Sequence, residues 1–283
     1  SVNLMAVIGA TFGAVTASGT INDNDPMPTM SVSNVSVVEG DAGMTNALVT
    51  VTLSGISATD TVIDWATAGG TATDGLDFAG AAGSLTIAAG STTATISIPV
   101  NGEMLYEDDE SFAVNLSSLN TANATSSGTV TITNDDAKPA LTVNSVNVDE
   151  GGVATITVSL DAAAGKDIVI SYAAVDGTAI SPDDYTLAAG SLTIPAGSTT
   201  ATLVVNAAQD TLFEGVETYS VNFTSADTSN TAASTASIQI DVTDPMPQVS
   251  ISDPVAVTEG GVPSLVFTVS LDTASGVPVT LDF

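Results

Sequence analysis

A twelve-residue segment, Ser84-Leu-Thr-Ile-Ala-Ala-Gly-Ser-Thr-Thr-Ala-Thr95, occurs again at Ser191–Thr202 with one change, Ala88 to Pro195. The offset is 107 residues, and the same offset carries Gly70-Thr71-Ala72 onto Gly177-Thr178-Ala179 and Asp77-Phe78 onto Asp184-Tyr185. It also carries Glu107, Glu110 and Phe112 onto Glu214, Glu217 and Tyr219. Near the starts of the copies, Val38-Glu39-Gly40, Asp149-Glu150-Gly151 and Thr258-Glu259-Gly260 correspond, with small loop insertions between copies. Self-similarity at a fixed period is the signature of a tandem array, and it constrains the fold more than any single motif.

The ends of the chain align with the interiors of the copies. Ser1-Val2-Asn3-Leu4 matches Ser220-Val221-Asn222-Phe223, and Asp25-Pro26-Met27-Pro28 matches Asp244-Pro245-Met246-Pro247. The expected organisation is the last strands of a preceding copy over 1–26, full copies over 27–137 and 138–246, and the first strands of a following copy over 247–283, cut near Phe283. Neither end segment is long enough to bury a core alone. If neighbouring chains shared these segments to complete a domain, its middle strands would still be missing. The chain is therefore expected to be a window on a longer protein.

Within a copy, apolar residues alternate with period two. Val49, Val51 and Leu53 share one face with Thr50 and Thr52 opposite, and Ala94, Ile96, Ile98 and Val100 repeat the pattern. Phe112, Val114 and Leu116 do the same, and Ile63 shares a face with Trp65. Alternation of this kind marks half-buried strands, and the abundance of Val, Ile and Thr suits a pleated surface. About seven short strands per copy, separated by Gly, Asn, Asp and Ser turns, predict tandem all-β, immunoglobulin-like Greek-key sandwiches. Pro26, Pro28, Pro139, Pro245 and Pro247 fall at the junctions, where fixed φ angles stiffen short connections. A stiff rod is expected.

The charge balance narrows function. Thirty-two Asp and Glu face only two basic residues, Lys138 and Lys166, for a net charge of −30. Nucleic-acid binding needs Lys and Arg to replace counterions on phosphate and is excluded; association with anionic membranes is disfavoured. The chain has no Cys and no His, which rules out thiolate and imidazole metal sites and disulfides. No apolar run reaches the length of a membrane helix. The acids of the first copy gather in loops: Glu39 after the first strand, Asp77 in Gly75-Leu-Asp-Phe78, Glu103, Glu107, Asp108, Asp109 and Glu110 before the Phe112 strand, and Asp135 and Asp136 after the last strand. In a sandwich these loops can converge on one pole. Each pair of like charges a few ångströms apart costs on the order of 1–4 kcal/mol at effective dielectrics of roughly 80 to 20. A hard dication relieves this, and Ca²⁺, which takes six to eight oxygens in irregular geometry, suits such loops better than Mg²⁺.

The segments Val38-Glu39-Gly40, Gly70-Thr-Ala-Thr-Asp-Gly-Leu-Asp-Phe78, Tyr106-Glu-Asp-Asp-Glu-Ser-Phe112 and Ile132-Thr-Asn-Asp-Asp136, in that order, resemble the Calx-β domain, and the resemblance covers nearly the whole chain. That family is known from sodium/calcium exchangers, an integrin and large bacterial surface proteins. The resemblance implies a seven-stranded sandwich with calcium held at the pole facing the next domain. Carried over by position, it implies Glu39, Asp77, Glu103, Glu107, Glu110, Asp135 and Asp136 as ligands, with Asn134 opening the terminal triplet. In the second copy it implies Glu150, Asp184, Asp210, Glu214, Glu217 and Asp244. The second copy departs from the pattern: Gly215-Val216 replaces two acids of the turn, and Val242-Thr243 leaves one acid of the triplet. Fewer or weaker ions are therefore expected there.

These features predict an extracellular, cell-surface structural module: an adhesin stalk, spacer or fibre whose junctions calcium locks. Its partners are the neighbouring repeats of the same chain and, in the alternative of a polymerising filament or matrix subunit, identical chains. A regulatory calcium sensor is the other alternative, although no partner transporter or membrane span is visible. A Thr face at Thr50 and Thr52 could suit sugar or ice, but Thr also suits solvent-facing strands, and Trp65 is in phase with the core. Catalysis is not expected: there is no His or Cys, and carboxylates repeated in tandem fit chelation better than glycosidase chemistry. A Lys–Asn isopeptide crosslink is not expected either, because both lysines fall at a junction or in a loop.

Overall fold

The computed structural model describes residues 2–3, 8–9, 11, 13, 16–241, 243–260 and 264–282. Ser1, Leu4, Val242 and Phe283, which the repeat alignment used, lie outside the described residues. Every regular element described is a β-strand. Ahead of the first copy, β1 (Val2–Asn3) and β2 (Thr16–Ala17) pair antiparallel. The first copy runs through β3 (Met30–Val32), β4 (Val35–Val38), β5 (Gly43–Leu53), β6 (Thr61–Gly69), β7 (Ala82–Ile87), β8 (Thr93–Gly102), β9 (Glu110–Ser117) and β10 (Thr125–Thr133). The second runs through β11 (Leu141–Val143), β12 (Val146–Asp149), β13 (Val153–Leu160), β14 (Ile168–Val175), β15 (Tyr185–Thr186), β16 (Gly190–Ile194), β17 (Thr200–Ala207), β18 (Glu217–Thr224) and β19 (Ser234–Asp241). After it, β20 (Val249–Ile251) and β21 (Val269–Leu271) pair antiparallel.

Two sheets make up each copy. In the first they are ordered β3-β5-β8 and β4-β10-β9-β6-β7, and in the second β11-β13-β17-β15 and β12-β19-β18-β14-β16. The inward residues of both sheets meet in one core per copy: Val49, Val51, Ile63, Ile98, Val114 and Val130 are fully buried in the first, as are Ile156, Ile170, Val221 and Ile238 in the second. The faces predicted from alternation are the buried ones, and Trp65 packs against the first core. Compact packing divides the chain into residues 1–37, 44–101 and 110–132 in one unit and 38–43, 102–109 and 133–283 in the other.

The first strand of each copy is split between its two sheets, which raises the expected seven strands to eight and nine, the short β15 adding the ninth. The break has a side-chain cause. Ser33 Oγ accepts the N–H of Thr50 on β5 while Asn34 Oδ1 accepts that of Thr129 on β10. In the second copy Asn144 and Ser145 do the same for Thr157 on β13 and Ser237 on β19. Two short polar side chains thus satisfy backbone donors on opposite sheets where the strand crosses over. Beyond the break, β12 runs parallel to β19.

Aromatic stacking at the end of each core fixes the loops that matter most. Phe78 stacks on Phe112 with centroids 4.0 Å apart and an interplanar angle of 8°. Tyr185 stacks on Tyr219 at 3.8 Å and 6°. Each stack ties a long loop to the start of a strand, β9 or β18. Replacing Phe112 with Ala removes one half of the first stack from a fully packed site and is expected to cost about 3–5 kcal/mol. Urea unfolding of the full chain, followed by Trp65 fluorescence, measures this; a cost below about 1 kcal/mol would show that the stack does not hold the loop.

Candidate metal centre

Alternation along β4 sets up the first site. Val35 and Val37 point towards the core, Val38 lies half exposed, and the next inward position is Glu39, only 5 % exposed. A carboxylate thus occupies a core-side register position at the end of an edge strand. β4 neighbours β10, so the segment beyond β10 arrives beside it, and Glu39 N–H reaches the carbonyl of Thr133 at 3.4 Å. The chain leaving β8 comes equally close: a Cβ on Gly102 would lie 2.2 Å from the carbonyl oxygen of Gly40. Glycine there lets the next residue, Glu103, stand beside Glu39. Glu39, Glu103 and Asp136 consequently offer one oxygen each within 4.8 Å of one another.

The second group follows from the stack. Phe78 and Phe112 bring their neighbours Asp77 and Glu110 together, and Glu107 on the same turn completes a triplet with the same 4.8 Å limit. Asp77 is pre-oriented, since its Oδ2 accepts the N–H of Thr73 at 2.6 Å. The turn is held by Asn134, whose Oδ1 accepts the Glu107 N–H at 3.3 Å and whose own N–H donates to Asp109 Oδ1 at 3.1 Å.

The second copy repeats both groups: Glu150, Asp210 and Asp244 form one, and Asp184, Glu214 and Glu217 the other. Asp184 Oδ2 accepts the Ile180 N–H at 2.6 Å, as Asp77 accepts that of Thr73. Glu150 and Asp210 of the first group and all three acids of the second line a common recess, to which Asp183 also contributes. Asp183 escapes a reading by repeat position because its counterpart is Leu76.

Twelve of the thirteen predicted residues therefore fall into four triplets. Asp135 does not: it is exposed, and its Oδ1 accepts the N–H of Gly40 at 3.1 Å. Its counterpart Thr243 plays a similar part, directing its N–H and hydroxyl towards Glu150 Oε2 at 3.4 and 3.5 Å. The acids missing from the second copy are thus ones that serve other ends in the first. Asp109 holds Asn134 and Asp108 pairs with Lys166. The departures that predicted a poorer second site leave its two triplets intact.

These carboxylates repel one another at the edge of an apolar core. Burial, then the charges of Glu103, Glu107, Asp136 and Asp135, push Glu39 from an ordinary 4.5 up to about 8. Burial and then Asp184 raise Glu217 to about 7. Asp136 is raised by burial and by Asp135, and Glu214 by burial and by Asp184. Asp136 Oδ2 and Asp244 Oδ2 are buried with no hydrogen-bond donor among the described residues. Both lysines are committed elsewhere, to the carbonyl of Ala226, the ring of Tyr106, Asp108 and Asp227. The residues fit a hard cation. Two oxygens on opposite sides of a Ca²⁺, each at about 2.4 Å, lie about 4.8 Å apart, and the oxygens of each triplet lie within that distance of one another.

Against known proteins, the model of the Calx-beta domain family matches residues 22–136 and again residues 138–246. Among solved structures, the chain is similar to CBD12 from CALX1.2, with 19 % identity over 75 % of this chain and 99 % of that one and a TM-score of 0.35. It is similar to the calcium binding domain CBD12 of CALX1.1, with 22 % identity over 69 % and 79 % and a TM-score of 0.34. It is also similar to the Yersinia pseudotuberculosis adhesin InvE, with 14 % identity over 75 % and 58 % and a TM-score of 0.35.

The raised carboxylates predict an inverted pH profile in chelator. Folding a group whose pKa rises favours its protonated form, so stability is full below the unfolded value near 4.5 and is lost as pH climbs through about 8 for Glu39 and about 7 for Glu217. The melting temperature in EDTA is expected to rise by several degrees from pH 8 to pH 5, and Glu39→Gln is expected to flatten much of the slope. A melting temperature that falls over this range would contradict the assignment.

Proposed function

The chain belongs to the Calx-beta domain family, and on that premise we propose that it is a calcium-binding structural module, a stiff extracellular shaft of tandem sandwiches. The observation that carries this reading is the recurrence, in both copies, of two three-carboxylate groups at loop ends. A bound calcium ion would supply positive charge where the three carboxylates of each group meet. Glu39, Glu103 and Asp136 would hold one ion and so tie together the segments leaving β4, β8 and β10. Asp77, Glu107 and Glu110 would hold another and tie the stacked loop to the turn. Glu150, Asp210 and Asp244, with Asp184, Glu214 and Glu217, would do the same in the second copy. The segment leaving β10 leads directly into the second copy, so fixing it fixes the exit direction of the chain. The prolines at the junctions act in the same sense.

We place the module outside the cell, where calcium modules work at dissociation constants of roughly 10⁻⁴–10⁻³ M. Thermal unfolding of the full chain in EDTA, in calcium and in magnesium tests the proposal. Calcium at a hundredfold excess over its dissociation constant is expected to stabilise by about 2.7 kcal/mol per site. Magnesium should do much less, and Glu107→Gln with Glu110→Gln should remove part of the gain. No response to calcium would make the acids a solvated surface. A dissociation constant in the sensor range of about 10⁻⁷–10⁻⁵ M would favour a regulatory role instead, and calcium-dependent self-association would favour a filament.

A further inference from the structure

The turn that carries Glu107 has a second face. Tyr106 leaves its own copy and packs against the core of the next one, where it forms an isolated parallel bridge with Ala164. Its carbonyl accepts the N–H of Gly165 at 3.1 Å. Glu107 packs over Gly165: a Cβ there would sit within 2.6 Å of Cγ, Cδ and Oε1 of Glu107 and would push that side chain aside. Both lysines of the chain converge on the contact: Lys138 and Lys166 lie 5.6 and 5.7 Å from the Tyr106 ring centroid. Lys166 also pairs with Asp108 at 2.5 Å and with Asp227 at 3.3 Å.

The same backbone arrangement recurs one junction later with different chemistry. Phe213 replaces Tyr106, bridges Ser275 and accepts the Gly276 N–H at 2.9 Å. A Cβ on Gly276 would meet Glu214 Cγ at 2.8 Å. Where the first junction has Asp108 and Lys166, the second has Gly215 and Val277, and a Cβ on Gly215 would touch Val277 Cγ1 at 4.0 Å. A carboxylate and a lysine pair at one junction, and the uncharged Gly215 and Val277 hold the same places at the other.

We propose that the loop Ala164-Gly165-Lys166 is a docking surface keyed by charge to the turn Tyr106-Glu107-Asp108 of the copy before it, whereas Ser275-Gly276-Val277 is keyed by apolar contact to Phe213-Glu214-Gly215, so that neither loop accepts the other's turn. Repeat order is then written into the junctions. A Lys166-type loop against the Phe213 turn would leave a cation facing Gly215 and Val216 with no carboxylate in place of Asp108. A Val277-type loop against the Tyr106 turn would leave Asp108 without its lysine. The proposal rests on reading the copies as tandem repeats and does not require an ion.

The chain lacks cysteine, so spin labels on Leu48→Cys and Thr155→Cys, both exposed, report one inter-copy distance in the full chain. Pulsed dipolar spectroscopy is run in saturating calcium and again in chelator. The parent is expected to give one narrow distribution. Lys166→Val and the milder Asp108→Asn are each expected to broaden it at least twofold while leaving the circular dichroism spectrum unchanged. The triple variant Tyr106→Phe, Asp108→Gly, Lys166→Val, which imports the second junction's chemistry, is expected to narrow it again. Narrow distributions in both Lys166→Val and Asp108→Asn, or a triple variant as broad as Lys166→Val, would overturn the proposal. If the calcium reading alone fails, the two ionic conditions give the same distances and the contrast between variants is still read.

Discussion

Repulsion among carboxylates organises this molecule. Each copy closes its core with ordinary alternating Val, Ile and Phe, then places six acids in two groups at loop ends beside that core. Unlike a scattered acidic surface, these groups have fixed partners. Glu39 is on the inward register of an edge strand, Asp77 and Asp184 are each oriented by a backbone N–H, and Asp136 and Asp244 each bury an oxygen with no donor among the described residues. Burial beside the core, and then the close like charges, push the affected pKa values upward, a cost that protonation or a cation offsets.

The geometry depends on how loops are tethered to the core. The Phe78–Phe112 and Tyr185–Tyr219 stacks carry Asp77 to Glu110 and Asp184 to Glu217. Asn134 then ties the Glu107 turn to the segment leaving β10. The turn is consequently shared: Glu107 contributes an oxygen to the carboxylate group and its side chain also lies over Gly165, on the same loop of the following copy that Tyr106 and Asp108 contact.

Much of this is legible in the residues alone. Period-two alternation identifies the core faces because burial on one side of a strand imposes it, and the 107-residue offset pairs Asp77, Glu107 and Glu110 with Asp184, Glu214 and Glu217 by position. The partition into triplets is not legible, since it depends on which strand ends are neighbours. Asp135, adjacent to Asp136 in sequence, stays out of the triplet and holds Gly40 instead. The split of the first strand is written in Ser33-Asn34 and Asn144-Ser145, but only as polar residues whose acceptors must reach two sheets at once. The role of Lys166 is hidden for a different reason: its partner Asp108 is 58 residues away in another copy, with no local pattern linking them.

If each triplet is one cation site, the ions can be counted. Calcium binding to the full chain at about 0.15 M NaCl, near physiological ionic strength, is measured by equilibrium dialysis at saturation. One ion is predicted for each of the four triplets, with binding that survives the added salt because the ligands are fixed and partly buried. Binding that scales with net charge, shows no plateau and disappears in salt would mean that the acids merely attract a diffuse ion atmosphere, and would contradict the assignment of four discrete sites.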